Sequence, residues 1–189
     1  MIRMLTLIWL FACPIDGHSQ AQDSKTFIQD YFGAIAKLIY RDRLDSHQLD
    51  AMKSALNKDT LYGLRGIAYD SSQILILSPQ ERTYIDQALV KLAGIRWDRD
   101  LFKYGHVMSE DSLEAIFMGP KHRGWSYFRQ HYGTSLQEFS NPIFIRDNTV
   151  CIFYSGHTCD YECGEGSLSI FRQENGNWHL WMKLYTWMS

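Results

Sequence analysis

Residues 150–187 read VCIFYSGHTCDYECGEGSLSIFRQENGNWHLWMKLYTW, and the period of this stretch decides the fold class. Val150-Cys151-Ile152-Phe153-Tyr154 and Leu168-Ser169-Ile170-Phe171 are short runs rich in β-branched and aromatic residues, the composition of strands. Glu174-Asn175-Gly176-Asn177 places Asn-Gly at the centre of a hairpin turn, where both residues must tolerate positive φ. Trp178 to Trp187 then closes the chain in strict alternation. Trp178, Leu180, Met182 and Leu184 fall on one side as the expected core face. His179, Trp181, Lys183, Tyr185 and Trp187 fall on the other. Upstream, Ile143-Phe144-Ile145 leads into a turn at Asp147-Asn148. The pattern predicts an antiparallel meander of about four strands.

Between the first two strands, Ser155 to Gly166 reads as a connection rich in glycine and cysteine. Cys159 and Cys163 are separated by three residues, a spacing that a tight loop can bridge. A pairing of Cys151 with the loop is the alternative. His157, Cys159, Cys163 and Glu165 also suggest a metal site, but structural zinc sites need a second ligand pair, and none stands at matching spacing. We expect a Cys159–Cys163 bridge, with no metal and no cofactor.

The first half reads as helical. Phe27, Ile28, Tyr31, Ile35, Leu38 and Ile39 recur at spacings of three and four, which predicts a helix over roughly residues 24–40. Asp45-Ser46-His47-Gln48 has the form of a capping box before Leu49, Met52 and Leu56, predicting a helix over about 46–57. Ile74-Leu75-Ile76-Leu77 is a short apolar run between turn signals, which suggests a short buried strand. Ser78-Pro79-Gln80-Glu81 combines an N-cap hydroxyl, proline at the first helical position and glutamate at the third. The helix it opens buries Tyr84, Ile85, Ala88, Leu89 and Leu92 and ends near Gly94. Trp125, Phe128 and Tyr132 predict a further short helix capped by Gly133. The fold class is therefore expected to be α+β, a helical N-terminal half packed on the C-terminal meander.

The first residues have the layout of a secretory signal. Arg3 precedes an apolar run from Leu5 to Ala12 that is too short to span a membrane, and Ser19-Gln20-Ala21 ends a polar stretch with small residues at the cleavage positions. We expect residues 1–21 to be removed and residues 22–189 to form one domain in the periplasm or outside the cell. The alternative reads Leu10-Phe11-Ala12-Cys13 as a lipoprotein box, with a lipid anchor on Cys13. Either cut leaves Cys151, Cys159 and Cys163, an odd number, so at most one internal bridge forms.

The net charge is −2 over 189 residues, which argues against a nucleic-acid partner because no basic face is present. No later segment is long and apolar enough to cross a membrane. His106, His122, His131, Asp98, Asp100, Glu110, Asp111 and Glu114 are scattered groups from which an acid–base pair could be assembled. No nucleophile elbow, metalloprotease helix, P-loop or dinucleotide fingerprint accompanies them. The candidate binding surface is instead the aromatic and basic face of the last strand, Trp181, Lys183, Tyr185 and Trp187, together with His157.

Ser140-Asn141-Pro142-Ile143-Phe144, Cys159 to Gly166 with its Cys-x-x-x-Cys-Gly-x-Gly spacing, and the closing Trp187 resemble a group of small exported bacterial proteins without an assigned function. Ser78-Pro79-Gln80-Glu81-Arg82 and Trp97 are also similar to that group. The resemblance implies one exported domain and a structural role for the cysteine loop, and it places no residue in a catalytic role. The expected function is an exported, non-enzymatic binding module, acting on a protein or small-molecule ligand through the sheet face and the bridged loop. The alternative is a small extracellular or periplasmic hydrolase with a His/carboxylate site near that loop.

Overall fold

A computed structural model describes residues 17–33, 37–66, 68–121 and 123–189, with side chains from Asp23 onward. The apolar run and Cys13 of the expected signal, Ile35 and His122 lie outside the described residues. Among the described residues, no helix is long and apolar enough to cross a membrane.

The elements run α1 (Gly17–Phe32), β1 (Ile39–Arg41), α2 (Ser46–Leu56), β2 (Thr60–Arg65), β3 (Ala68–Ile76), α3 (Pro79–Leu92), β4 (His106–Met108), α4 (Glu110–Phe117), α5 (Gly124–His131), β5 (Leu136–Phe139), β6 (Ile143–Ile145), β7 (Val150–Asp160), β8 (Cys163–Glu174) and β9 (Asn177–Met188). Seven strands form one mixed sheet in the order β4-β1-β5-β7-β8-β9, with β6 also paired to β7. β2 and β3 form a separate hairpin.

This corrects the expectation of a helical half on a four-strand α+β meander. The meander exists, but β1, β4 and β5 from the earlier part of the chain extend it, and β1 lies parallel to both β4 and β5. The helices also occupy both faces. Alternate residues of β7 divide between two cores: Ile152 and Tyr154 join Met52, Leu56, Ile85 and Leu89 of α2 and α3, while Cys151 and Phe153 join Phe27 and Ile28 of α1. Since side chains alternate along a strand, the two sets lie on opposite sides. A third core seats α4 and α5 against Ile39 and Leu136.

The reason for the discrepancy is local. Helix α1 stops because Gly33 takes the left-handed conformation, φ 60°, and its N–H donates to the Gln29 carbonyl at 3.1 Å. Leu38 and Ile39 keep the helical spacing by coincidence. With Tyr40 and Arg41 they belong to an extended segment too short to display a period of its own.

Two helix starts show how local and distant groups share capping. At α3 the expected capping box is complete: Ser78 Oγ accepts from the Glu81 N–H at 3.2 Å, and Glu81 Oε2 accepts from the Ser78 N–H at 2.7 Å. At α2, Asp45 accepts from the His47 N–H at 2.8 Å, but Gln48 does not return the bond. Glu138 of β5 takes that role, its Oε1 accepting from the Asp45 N–H at 2.5 Å. The expected turns also form. Asp147 and Asn148 adopt φ 53° and 61°, and Asn175 and Gly176 adopt 52° and 81°.

Candidate functional site

The Ser155–Gly166 segment is not a loop. β7 and β8 continue through it as a hairpin and leave only Tyr161 and Glu162 in the turn. Cys159 and Cys163 bridge its tip with Cα atoms 5.1 Å apart, while Cys151 is a free thiol buried in the core. Arg129 of α5 anchors the tip through Asp160 at 2.8 Å.

Gly156, Gly164 and Gly166 are strand residues with a packing purpose. They fall on one face of the hairpin, where the Trp187 ring and the Tyr154 hydroxyl lie against them. A Cβ on Gly166 would stand 2.8 Å from Trp187 Cε2 and 2.9 Å from the Tyr154 hydroxyl. Trp187 Nε1 donates to that hydroxyl at 2.9 Å.

The expected aromatic face of β9 is divided. Two bulges, at Trp181 and at Leu184, shift the register against β8. Trp181, Leu184, Tyr185 and Trp187 therefore all pack, half-buried, on the same core as Met182. Leu180, expected inside, is 52% exposed. Arg172 lies over the Trp181 ring at 3.0 Å from its centroid. Lys183 alone of the four candidates turns to the opposite face.

On that opposite face the sheet runs beyond the end of α1, and there the structure places a recess of about 230 Å³. His157 and Glu165, direct cross-strand neighbours, form one end, and Lys183, opposite Ser169, forms the other. Glu165 and Ser169 are four residues apart along β8, about 13 Å of strand. Ser167 and Thr186 pair between them. The Tyr31 and Ser155 hydroxyls, 2.7 Å apart, close one wall. Among the described residues, the side chains of His157, Glu165 and Lys183 have no hydrogen-bond or ion-pair partner.

So the structure brings His157 and Lys183 together and separates them from Trp181, Tyr185 and Trp187. Tyr31, Ser155, Gln137, Ser167 and Thr186 were not anticipated as site residues. For Ser155 and Ser167 the signal was present: Ser155 and His157, like Glu165 and Ser167, alternate with glycines at a period of two. It becomes readable only once the segment is recognised as strand. The scattered groups do not join the recess. Glu110 pairs with Arg41 at 3.2 Å, His131 bonds the Tyr127 carbonyl at 2.8 Å, and Asp98 accepts from the Asp100 N–H at 3.0 Å. Among the described residues, no three His, Cys, Asp or Glu side chains are grouped to hold a metal ion.

A second polar cluster lies on the other face. Glu138 sits among Arg41, Asp45 and Glu110 at the start of α2. Burial pushes its carboxyl up to about 7, against the opposing pull of Arg41 and the Asp45 N–H. The folded state thus binds this proton more tightly than the unfolded chain does. Its stabilising effect is complete below about pH 4.5 and is lost as pH rises through about 7. Glu138→Gln keeps an acceptor for Asp45 and removes the charge. We expect it to be more stable than the parent by about 2–3 kcal/mol at pH 8 and little different at pH 4.5. Urea unfolding at both pH values checks this; an equal gap at the two would sink the assignment.

Comparison with protein-family models, with curated proteins and with solved structures finds no match to this chain.

Proposed function

We propose that the protein is an exported binding module, of the kind its resemblance to small exported bacterial proteins implies. Its seat is the recess beneath the disulfide-closed hairpin. One observation carries this reading: unpaired groups of both signs converge there, with Glu165 and His157 at one end, Lys183 at the other and hydroxyls between. Such a lining matches a small zwitterion, its cation toward Glu165 and its anion toward Lys183, as in a dipeptide. The recess lining holds one carboxylate and one imidazole, with no further acid or histidine beside them among the described residues to complete an acid–base set, which favours recognition over hydrolysis. The disulfide fits an oxidising compartment.

Calorimetric titration with alanylalanine tests the reading, with glucose as an uncharged control. The dipeptide is expected to bind and glucose not to bind, with Lys183→Met and Glu165→Gln each weakening binding at least tenfold while melting normally. Absence of binding to the folded protein would overturn the zwitterion seat. Cleavage of the dipeptide that is lost in His157→Ala would replace this reading with the hydrolase.

A further inference from the structure

A second cavity, about 460 Å³ in volume, lies at the opposite end of α1 from the recess. Its position follows from the sheet. β6 pairs with β7, but among the described residues no strand lies beyond β6, because β1 and β4 join the sheet through β5. The vacant place beside β6 is flanked by α1, by α3 and by the segment that follows α3.

The floor of this cleft is apolar. Leu92, Leu101, Ile143 and Phe144 line it, each no more than 5% exposed as a residue. The rim is cationic, with Lys25 from α1, Lys91 from α3 and Arg96 just beyond. Arg96 is shared with Asp42 at 2.7 Å. Lys25 and Lys91 have no ion-pair partner among the described residues. Asp98, the one carboxylate of the lining, caps the Asp100 N–H at 3.0 Å.

From this we infer that the cleft binds an amphipathic anion, specifically a long-chain carboxylate, with its chain on the apolar floor and its head between Lys25 and Lys91. An apolar floor removes methylenes from water, and ammonium groups on its rim select a negative head. Lysine stems add apolar wall while their charged ends stay wet. The volume lies within the roughly 300–1,000 Å³ usual for ligand sites. The site is independent of the recess, and the chemistry differs: one anion on an apolar chain here, a compact zwitterion there.

Trp97 lines the cleft and supplies the reporter. The protein as exported is titrated with 12-bromododecanoate, whose bromine quenches indole fluorescence, and with 12-bromododecan-1-ol. The acid is expected to saturate at least tenfold more tightly than the alcohol. The Lys25→Met/Lys91→Met double variant is expected to remove that preference without changing the melting temperature. Trp97→Phe is expected to abolish most of the quenching while calorimetry still detects binding. Equal affinity for acid and alcohol, unchanged affinity in the double variant, or undiminished quenching in Trp97→Phe would each overturn the inference.

Discussion

Phe27→Ala is expected to destabilise the protein by about 4 kcal/mol, the upper range for emptying an aromatic core position. Phe27 is 2% exposed and its ring meets those of Tyr31, Phe144, Phe153, Phe171 and Trp178, with centroids 5.1–6.2 Å away. Four of these contacts are edge-on, the arrangement that adds roughly 0.5–1.5 kcal/mol per pair beyond burial. With Ile28 and Tyr31 the residue links α1 to the sheet, so its loss also loosens both cavities, which α1 helps to wall. Helix α1 passes through the expected cleavage point after Ala21, and Phe27 stays on the mature side of it. Urea unfolding of wild type and variant measures the effect. A loss below about 1 kcal/mol would mean that α1 is not seated on β7 and β8 as described, since full burial of such a ring contributes more than that.

Trp187→Ala is expected to cost about 3 kcal/mol, at the lower end for tryptophan because the ring is half-buried. Two effects combine. The ring leaves the shallow groove over Gly164 and Gly166, and the buried Tyr154 hydroxyl loses its donor. The recess lies on the other face of β8 and β9, so dipeptide binding by the variant is expected to fall little at a temperature where it remains folded. A variant of wild-type stability that has lost binding would reverse the assignment and restore Trp187 to a ligand surface.

The two cases mark where the sequence was readable. The Ser78 capping box, the Asn175-Gly176 turn and the strand cores at Val150–Tyr154 and Leu168–Phe171 each depend on neighbours a few residues apart, and each is where the spacing put it. The Asp45 box was half legible: the side chain that completes it comes from Glu138, 93 positions away. The outer halves of β7 and β8 were misread as a connection because Gly156, Gly164 and Gly166 look like loop residues. Gly164 and Gly166 are glycine because Trp187 of β9 lies across them, and Gly156 because the Tyr154 hydroxyl and the paired backbone of β8 leave no room for a Cβ. The alternation of β9 failed for a similar reason, since the bulges at Trp181 and Leu184 are set by pairing with β8.

By itself, the sequence determined the capped helices, the turns, the C-terminal strand order and the cysteine pair close enough to bridge. These follow from backbone conformation and hydrogen bonds within a turn or two of the chain. Only the tertiary structure decided that β1, β4 and β5 enlarge the sheet, that helices cover both faces, and that His157, Glu165 and Lys183 open into one recess. Strands of three or four residues carry too little periodicity of their own, and a parallel pairing such as that of Ile39 with His106 is stabilised by partners far along the chain. Which side of a strand faces ligand and which faces core depends on what packs against it, and that is a property of the assembled layers.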